Sequence, residues 1–284
     1  MKIIESNIPT ALGDLIIIKS HLDAVKHEYD QIRLTFHTEL FNIYLHTDHP
    51  SWPENKIKWF KFLDDIKQLF FSEPPFIMND GEYPFRQTTQ FLSDFGLRPT
   101  KVNLANLLCS GQSLNLDKEY IVLTTKVRYL DRNLFDSMSP QFFELINQLS
   151  KKYKIVLLGE RVVEANIDYM NWTNRQIYGI YPEIIANIQN KDAIVDLTLP
   201  ALGETSPNLA QIQQDCLIMK EAKFVVTIGI GGNFCMSTSV SNMAIGIRSD
   251  NLELCDAVYL NKEYPDAIIT KDLGHFFKTM KGYL

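Results

Sequence analysis

Apolar and polar positions in the second half of the chain alternate between short apolar runs and longer stretches with helical spacing. Continuous apolar runs predict strands at 120–124, 154–158, 193–197, 224–228 and 257–260. Apolar residues three and four apart predict helices over 182–188 and 209–219. Ser139-Pro140 is typical of an N-cap followed by a first-turn proline, so a further helix is expected to begin there. This alternation favours a parallel sheet of the α/β class.

The first half begins in the same way. A short strand is predicted near Ile3-Ile4, then a loop, and then a helix whose apolar stripe is formed by Leu15, Ile18, Leu22 and Val25. A second strand is expected over 31–36, whereas the segment 47–75 shows no clean period. The small, polar segment 109–113 precedes the first clear strand of the second half. We therefore predict two Rossmann-like, doubly wound domains facing a cleft, one at 1–113 and the other at 114–284.

Composition and charge exclude several classes of protein. The chain has 284 residues, of which 45% are hydrophobic and 22% charged, as in folded soluble proteins. Its 28 basic and 34 acidic residues give a net charge of -6, which disfavours a general nucleic-acid surface. The apolar runs are far shorter than the roughly 20 residues of a membrane span, and no secretory signal is visible, so a cytoplasmic location is predicted. No His or Cys spacing indicates a metal site.

Asp14 is the first candidate for chemistry, because it stands near the start of the first predicted helix. An aspartate at such a place is most often a helix cap. In a cleft, its carboxylate can instead accept a proton from a hydroxyl nucleophile. The sequence leaves both interpretations open.

Polar residues follow the first strand of the second half, where a doubly wound sheet presents its ligand. The hydroxyl and cationic side chains of this loop suit a diphosphate and belong to Thr124, Thr125, Lys126 and Arg128. A solvated polar loop is the alternative. After the next strand come Gly159 and Glu160, and a carboxylate there can accept hydrogen bonds from both ribose hydroxyls.

A glycine-rich loop follows the strand at 224–228. Glycine lets backbone N–H groups approach an anion at the start of a helix, and the candidate phosphate ligands here are Gly229, Gly231, Gly232 and Asn233. Close packing of helix against strand is the alternative explanation. The loop is not a full dinucleotide fingerprint and follows the fourth strand of its half, so a nicotinamide dehydrogenase is disfavoured.

These residues resemble the heptosyltransferase-like glycosyltransferases. The resemblance lies in Leu12-Gly13-Asp14-Leu15, in Thr124-Thr125-Lys126, in Gly159-Glu160, and in the stretch from Asp196-Leu197-Thr198 to Thr227. It implies the two-domain GT-B fold and metal-independent, cofactor-free transfer of a sugar from a nucleoside-diphosphate donor to a hydroxyl acceptor. It also implies that Asp14 is the base and that both loops hold the diphosphate. The chain departs from the family in the glycine loop, where members usually have Asp-Ser-Gly followed by a His, and in its shorter length.

Two other functions stay open at the level of sequence. A nucleotide-sugar epimerase of similar fold would convert the donor without an acceptor. A non-catalytic nucleotide- or glycan-binding protein would bind the donor without turnover. The predicted partners are a nucleotide sugar and a glycan or lipid-linked acceptor, with no nucleic acid and no transmembrane segment; peripheral contact with a membrane stays open.

Overall fold

The computed structural model describes residues 1–8, 11–37, 50–82, 91, 103–169, 172–201, 204–229, 232–248, 267–270 and 272–284. Within these ranges, two parallel sheets are flanked by helices. The predicted α/β class with two Rossmann-like parallel units is therefore confirmed.

The first unit is a three-stranded parallel sheet in the order β1-β2-β3. Its elements are β1 (Ile3–Ile8), α1 (Leu12–Val25), β2 (Gln31–His37), α2 (Trp52–Phe71) and β3 (Phe76–Gly81). The predicted first strand, first helix and second strand are confirmed. The helix α2 was not predicted, although Pro53 in its first turn is a typical start signal. Its buried positions include Asn55, which breaks the apolar pattern.

The second unit is a six-stranded parallel sheet in the order β10-β6-β4-β12-β13-β14. Its strands are β4 (Tyr120–Thr124), β6 (Lys154–Leu158), β10 (Ile194–Asp196), β12 (Val225–Ile228), β13 (Ala244–Ile247) and β14 (Ala267–Thr270). The first four were predicted; β13 and β14 were not. The strand predicted at 257–260 lies outside the described residues. From β4 the chain first builds the sheet outward through β6 and β10, and later continues on the other side through β12, β13 and β14.

Helices cover both faces of this sheet. The helices of this half are α3 (Ala105–Leu108), α4 (Tyr129–Leu149), α5 (Tyr181–Asn187), α6 (Leu209–Glu221), α7 (Gly232–Val240) and α8 (Leu273–Lys281). One face of the sheet packs on α1, α6 and α7, and the other packs on α4, α5 and α8. The helices predicted at 182–188 and 209–219 correspond to α5 and α6.

Two small sheets lie beyond the carboxyl ends of the strands of the large sheet. One is antiparallel in the order β5-β9-β8 and the other is a parallel pair, β11-β7. Their strands are β5 (Lys126–Arg128), β7 (Glu160–Val162), β8 (Glu164–Tyr169), β9 (Trp172–Gly179) and β11 (Leu199–Ala201). They were not predicted from the sequence.

The prediction that a helix begins at Ser139-Pro140 is wrong. The helix α4 begins ten residues earlier, at Tyr129, and carries Pro140 in its interior. A proline there lacks the N–H that would bond to the carbonyl four residues back, which belongs to Asp136. The hydroxyl of Ser139 donates to this carbonyl at 3.1 Å and so replaces the missing donor. A Ser-Pro sequence can therefore lie inside a helix as well as at its start, because the serine hydroxyl can replace the missing N–H.

One apolar core runs from the first sheet into the second. The helix α1 links them, because its residues from Leu15 to Leu22 are all buried, whereas a surface helix buries only one stripe. A second contact between the units joins α2 to the segment before α6. The amide of Asn55 donates to the carbonyl of Glu204, and the hydroxyl of Ser206 donates to the carbonyl of Asn55, both at 2.7 Å.

The segment predicted to divide the domains packs on α6. Gln112 and Gln214 exchange two hydrogen bonds, at 2.9 and 2.8 Å, and the hydroxyl of Ser113 donates to Glu221 at 2.6 Å. Gly111, with φ of 136°, turns the chain at this point. The division at residue 113 stays a prediction.

Candidate active site

The direction in which the chain builds the second sheet reverses between β4 and β12. In open α/β sheets, ligands bind at such a switch point, beyond the carboxyl ends of the strands. These two strands are hydrogen-bonded neighbours, with Val122 opposite Val225. The loops that follow them are the ones predicted to hold a diphosphate, after Thr124 and after Ile228. The sheet order thus brings to one edge two loops that are about a hundred residues apart in sequence.

Thr125 fastens the end of β4 to the loop after β6. Its hydroxyl donates to the carbonyl of Glu160 at 2.8 Å, and its backbone N–H donates to the carbonyl of Leu158 at 3.0 Å. Gly159 lies between these acceptors with φ of 113°, and a Cβ there would stand 2.5 Å from the Thr125 hydroxyl oxygen. Only glycine fits this close approach without a shift of the loop. Thr125, Gly159 and Glu160 therefore form one rigid corner.

Lys126 and Glu160 form an ion pair in this corner, with 2.7 Å between Nζ and Oε2. The Glu160 side chain is 7% exposed and that of Lys126 is 26% exposed. The structure therefore brings together one residue predicted to contact phosphate and one predicted to contact ribose. Thr124 is buried at the end of β4. Arg128 belongs to β5 by its backbone, and its side chain lies outside what the structure describes.

The glycine loop leads into α7, which begins at Gly232. The first N–H groups of a helix have no acceptor within it and carry the positive end of the helix dipole. Gly232 and Asn233, both half-buried, are in this first turn. Gly229 has φ of 85°, and its N–H donates to the carbonyl of Ile247 at 2.7 Å. Its amide is therefore engaged in the sheet. Gly231 lies outside the described residues.

The first turns of α1 and α7 approach each other closely. A Cβ on Gly13 would stand 3.1 Å from Cys235 Sγ and 3.6 Å from Gly232 N. Asp14, the next residue of α1, is half-buried. The N-cap position of α1 is occupied by Ala11, so Asp14 is not the N-cap. The first turn of α1, which carries Asp14, therefore packs against the first turn of α7, and the absence of a side chain at Gly13 keeps this contact close.

A polar network that the sequence analysis missed lies at the same edge, beside β6 and β10. Asp196 Oδ2 accepts from the Tyr181 hydroxyl at 2.7 Å and pairs with Arg161 at 3.0 Å. Its Oδ1 accepts from Thr198 N at 3.0 Å. Burial raises the pKa of the Asp196 carboxyl, but the hydrogen bonds from Thr198 and Tyr181 and the charge of Arg161 together hold it below its usual range. The signal in the sequence was the position of Asp196 at a strand end.

Asp215 is a second residue that the sequence analysis missed. It lies in α6, and its Oδ1 accepts from the Gln211 amide at 2.8 Å. Burial and, to a smaller extent, the charge of Glu160 together raise the pKa of its carboxyl to about 7, although the hydrogen bond from Gln211 lowers it. A second acidic group therefore lies within electrostatic reach of the Lys126–Glu160 pair. Nothing in the helical pattern of α6 distinguishes it from a surface carboxylate.

The described part of the chain defines an α/β protein whose candidate ligand site lies at a topological switch point. Within the described ranges, no helix is long and apolar enough to cross a membrane, and no three His, Cys, Asp or Glu side chains are grouped to hold a metal ion. No family model matches the chain, and no curated protein matches it.

Solved structures with a similar chain trace include three bacterial enzymes. ADP-heptose LPS heptosyltransferase II of E. coli has 13% identity and a TM-score of 0.49, with 95% of this chain and 90% of that chain covered. E. coli heptosyltransferase WaaC, solved with ADP-2-deoxy-2-fluoro heptose, has 10% identity and a TM-score of 0.49, with 99% of both chains covered. A family 9 glycosyl transferase of Veillonella parvula has 12% identity and a TM-score of 0.49, with 99% of this chain and 89% of that chain covered.

Proposed function

We propose that the protein is a metal-independent glycosyltransferase that moves a sugar from a nucleoside-diphosphate donor to a hydroxyl group of a glycan or glycolipid acceptor. The observation that carries this proposal is the close approach of Gly13 to Gly232. A Cβ added to Gly13 would stand 3.6 Å from the backbone nitrogen of Gly232. This contact joins the first turn of α1, which carries Asp14, to the first turn of α7 at the switch point, and it supports the proposal that a base and an anion-binding helix end serve one space.

In the proposed donor site, the diphosphate lies against the first turn of α7 and the ammonium of Lys126. Both groups carry fixed positive charge, and their interaction strengthens as negative charge develops on the departing diphosphate. Glu160 accepts hydrogen bonds from the ribose hydroxyls. Thr125 acts as a positioning residue, since its hydroxyl proton is committed to the Glu160 carbonyl at 2.8 Å. Arg128, Gly231 and Asn233 stay candidate donor ligands.

Asp14 is the proposed catalytic base. It accepts the proton of the acceptor hydroxyl as that oxygen attacks the anomeric carbon, while the bond from this carbon to the diphosphate breaks. The first unit accordingly presents the acceptor, and the second unit holds the donor. We propose a cytoplasmic location, which fits the use of a nucleotide-sugar donor.

The test is transfer by the Asp14→Asn variant, which keeps the size of the side chain and removes its basicity. We expect the transfer rate to fall by about 10²–10⁴-fold, the usual contribution of a general base, with donor affinity and thermal stability retained. The assay uses a panel of nucleotide sugars with and without acceptor glycans. An unchanged rate refutes the assignment of Asp14, conversion of donor alone identifies an epimerase, and binding without turnover on any acceptor identifies a binding protein.

A further inference from the structure

The ion pair between Lys126 and Glu160 lies inside the proposed donor site. Its two partners are the groups that a diphosphate and a ribose would each require, yet they contact each other at 2.7 Å. Glu160 is held in place by the Thr125 hydroxyl on its carbonyl and by the turn at Gly159. Among the described residues, Lys126 is the only cation paired with Glu160, and Oε2 accepts no further hydrogen bond.

Because of this arrangement, moving the Lys126 ammonium away from Glu160 costs free energy. A carboxylate that is 7% exposed and loses its counterion is left as an uncompensated buried charge. The Asp215 carboxyl also repels Glu160, since the charge of Glu160 raises its pKa, and this repulsion adds to the cost of removing the ammonium. A ligand that takes Lys126 for its phosphates must therefore supply hydrogen-bond donors to Glu160.

A ribose has such donors in its two vicinal hydroxyls, whereas inorganic phosphate and pyrophosphate have none in suitable positions. We propose that the Lys126–Glu160 pair makes donor binding conditional on two features of the ligand at once, a diphosphate for Lys126 and a vicinal diol for Glu160. Glu160 thereby selects nucleoside diphosphates against the inorganic anions that share their charge. This inference rests on the proposed function, since it assumes a donor site at the switch point.

The experiment is calorimetric titration of the full chain with pyrophosphate, with ADP, UDP and GDP, and with the 2′,3′-dideoxy forms of these diphosphates. For the wild type, we expect the best ribonucleoside diphosphate to bind at least about tenfold more tightly than its dideoxy form or pyrophosphate. In Glu160→Gln the ammonium is released, so pyrophosphate should bind about tenfold more tightly than to the wild type, and the preference for the diol should fall below about threefold.

Two variants serve as references. Lys126→Met should weaken binding of every diphosphate while the protein stays folded. Glu183→Gln removes one of the two carboxylates paired with Arg132, at 2.8 Å and elsewhere in the second unit, and should leave all the affinities unchanged. Thermal unfolding of each variant shows whether it is folded.

The outcomes separate this inference from the proposed function. Equal affinity of the wild type for ribose and dideoxy ligands overturns the inference without any variant, as does an unchanged or weaker affinity of Glu160→Gln for pyrophosphate. In both cases the proposed donor site still stands if the diphosphates bind. If no nucleoside diphosphate binds the wild type, the donor site and the inference fail together.

Discussion

Thr125 illustrates how a residue that the sequence assigns to a ligand is also needed by the fold. Its hydroxyl donates to Glu160 O at 2.8 Å from a fully buried position. Thr125→Val keeps the shape of the side chain and leaves this carbonyl without its donor. We expect the free energy of unfolding to fall by about 1–3 kcal/mol and nucleoside-diphosphate affinity to fall with it.

The matched control is Thr125→Ser, which keeps the hydroxyl and loses one methyl group. Urea unfolding and calorimetry on both variants test the assignment. A serine variant as weak in diphosphate binding as the valine variant would mean that the methyl group, and not the hydrogen bond, positions Glu160.

Asp215 gives a prediction for pH. Burial raises the pKa of its carboxyl to about 7 in the folded protein, from an ordinary value of 3.8. Between these values the unfolded chain has lost the proton that the folded protein still binds, so folding stability decreases as the pH rises from about 4 to about 7. We expect Asp215→Asn to lack this decrease and to be more stable than the wild type above pH 7, by about 1–3 kcal/mol.

Urea unfolding at pH 5 and pH 8 measures the effect, with Asp192→Asn at an exposed carboxyl as the control. An equal difference between wild type and Asp215→Asn at both pH values would contradict a raised pKa at this site.

The sequence indicates which residues follow which strands, but not which loops meet. Lys126 and Glu160 could be placed after β4 and β6 from the apolar runs alone. Their ion pair depends on the hydrogen bonding of these two strands, with Thr124 opposite Leu158. The same holds for Asp215, whose pKa is raised by burial and by the charge of Glu160, a residue far from it in the sequence.

At the scale of elements, local sequence patterns predict a strand correctly where the apolar residues of that strand are also buried. The continuous apolar runs of β4 and β6 have both faces covered by helices, and their bounds were predicted to the residue. Pro140 shows the opposite case, because Ser139 supplies the donor that proline lacks and α4 continues through it. In α2, the polar residue Asn55 is buried because it hydrogen-bonds to the 204–206 segment. The pattern of apolar residues in the sequence cannot predict such a contact.

The contact between α1 and α7 gives a prediction for a pair of residues. In a helix, Gly→Ala usually adds about 0.5–1 kcal/mol of stability. At Gly13 the new Cβ would stand 3.1 Å from Cys235 Sγ, which is too close without a shift. We expect Gly13→Ala to bring no gain in the wild type and to bring the usual gain in the Cys235→Ala background.

The four proteins form a double-mutant cycle, measured by urea unfolding. The expected coupling is about 1 kcal/mol. Additive effects within about 0.3 kcal/mol would mean that the helices adjust freely at this contact, and that Gly13 is not needed for the position of Asp14.

At the scale of the molecule, the two parallel sheets share a core. The same cluster of buried side chains contains Leu15 and Phe36 from the first unit and Val122, Val225 and Phe234 from the second. Unfolding the first unit alone would expose the apolar face of α7 and of the large sheet to water, at about 25 cal/mol for each Å² of apolar surface. The cost favours joint unfolding of the two units.

We therefore expect one cooperative transition, and we expect a ligand of the second unit to stabilise the first. A nucleoside diphosphate at a hundred times its Kd adds about 2.7 kcal/mol to the stability of any amide that exchanges through global unfolding. Hydrogen exchange in β2 should slow by the same factor as in β4, although the proposed donor site contacts only the second unit. If β2 exchanges faster than β4 and does not respond to the ligand, the units unfold separately, and the contact of α1 with α7 is too weak to hold Asp14 at the donor.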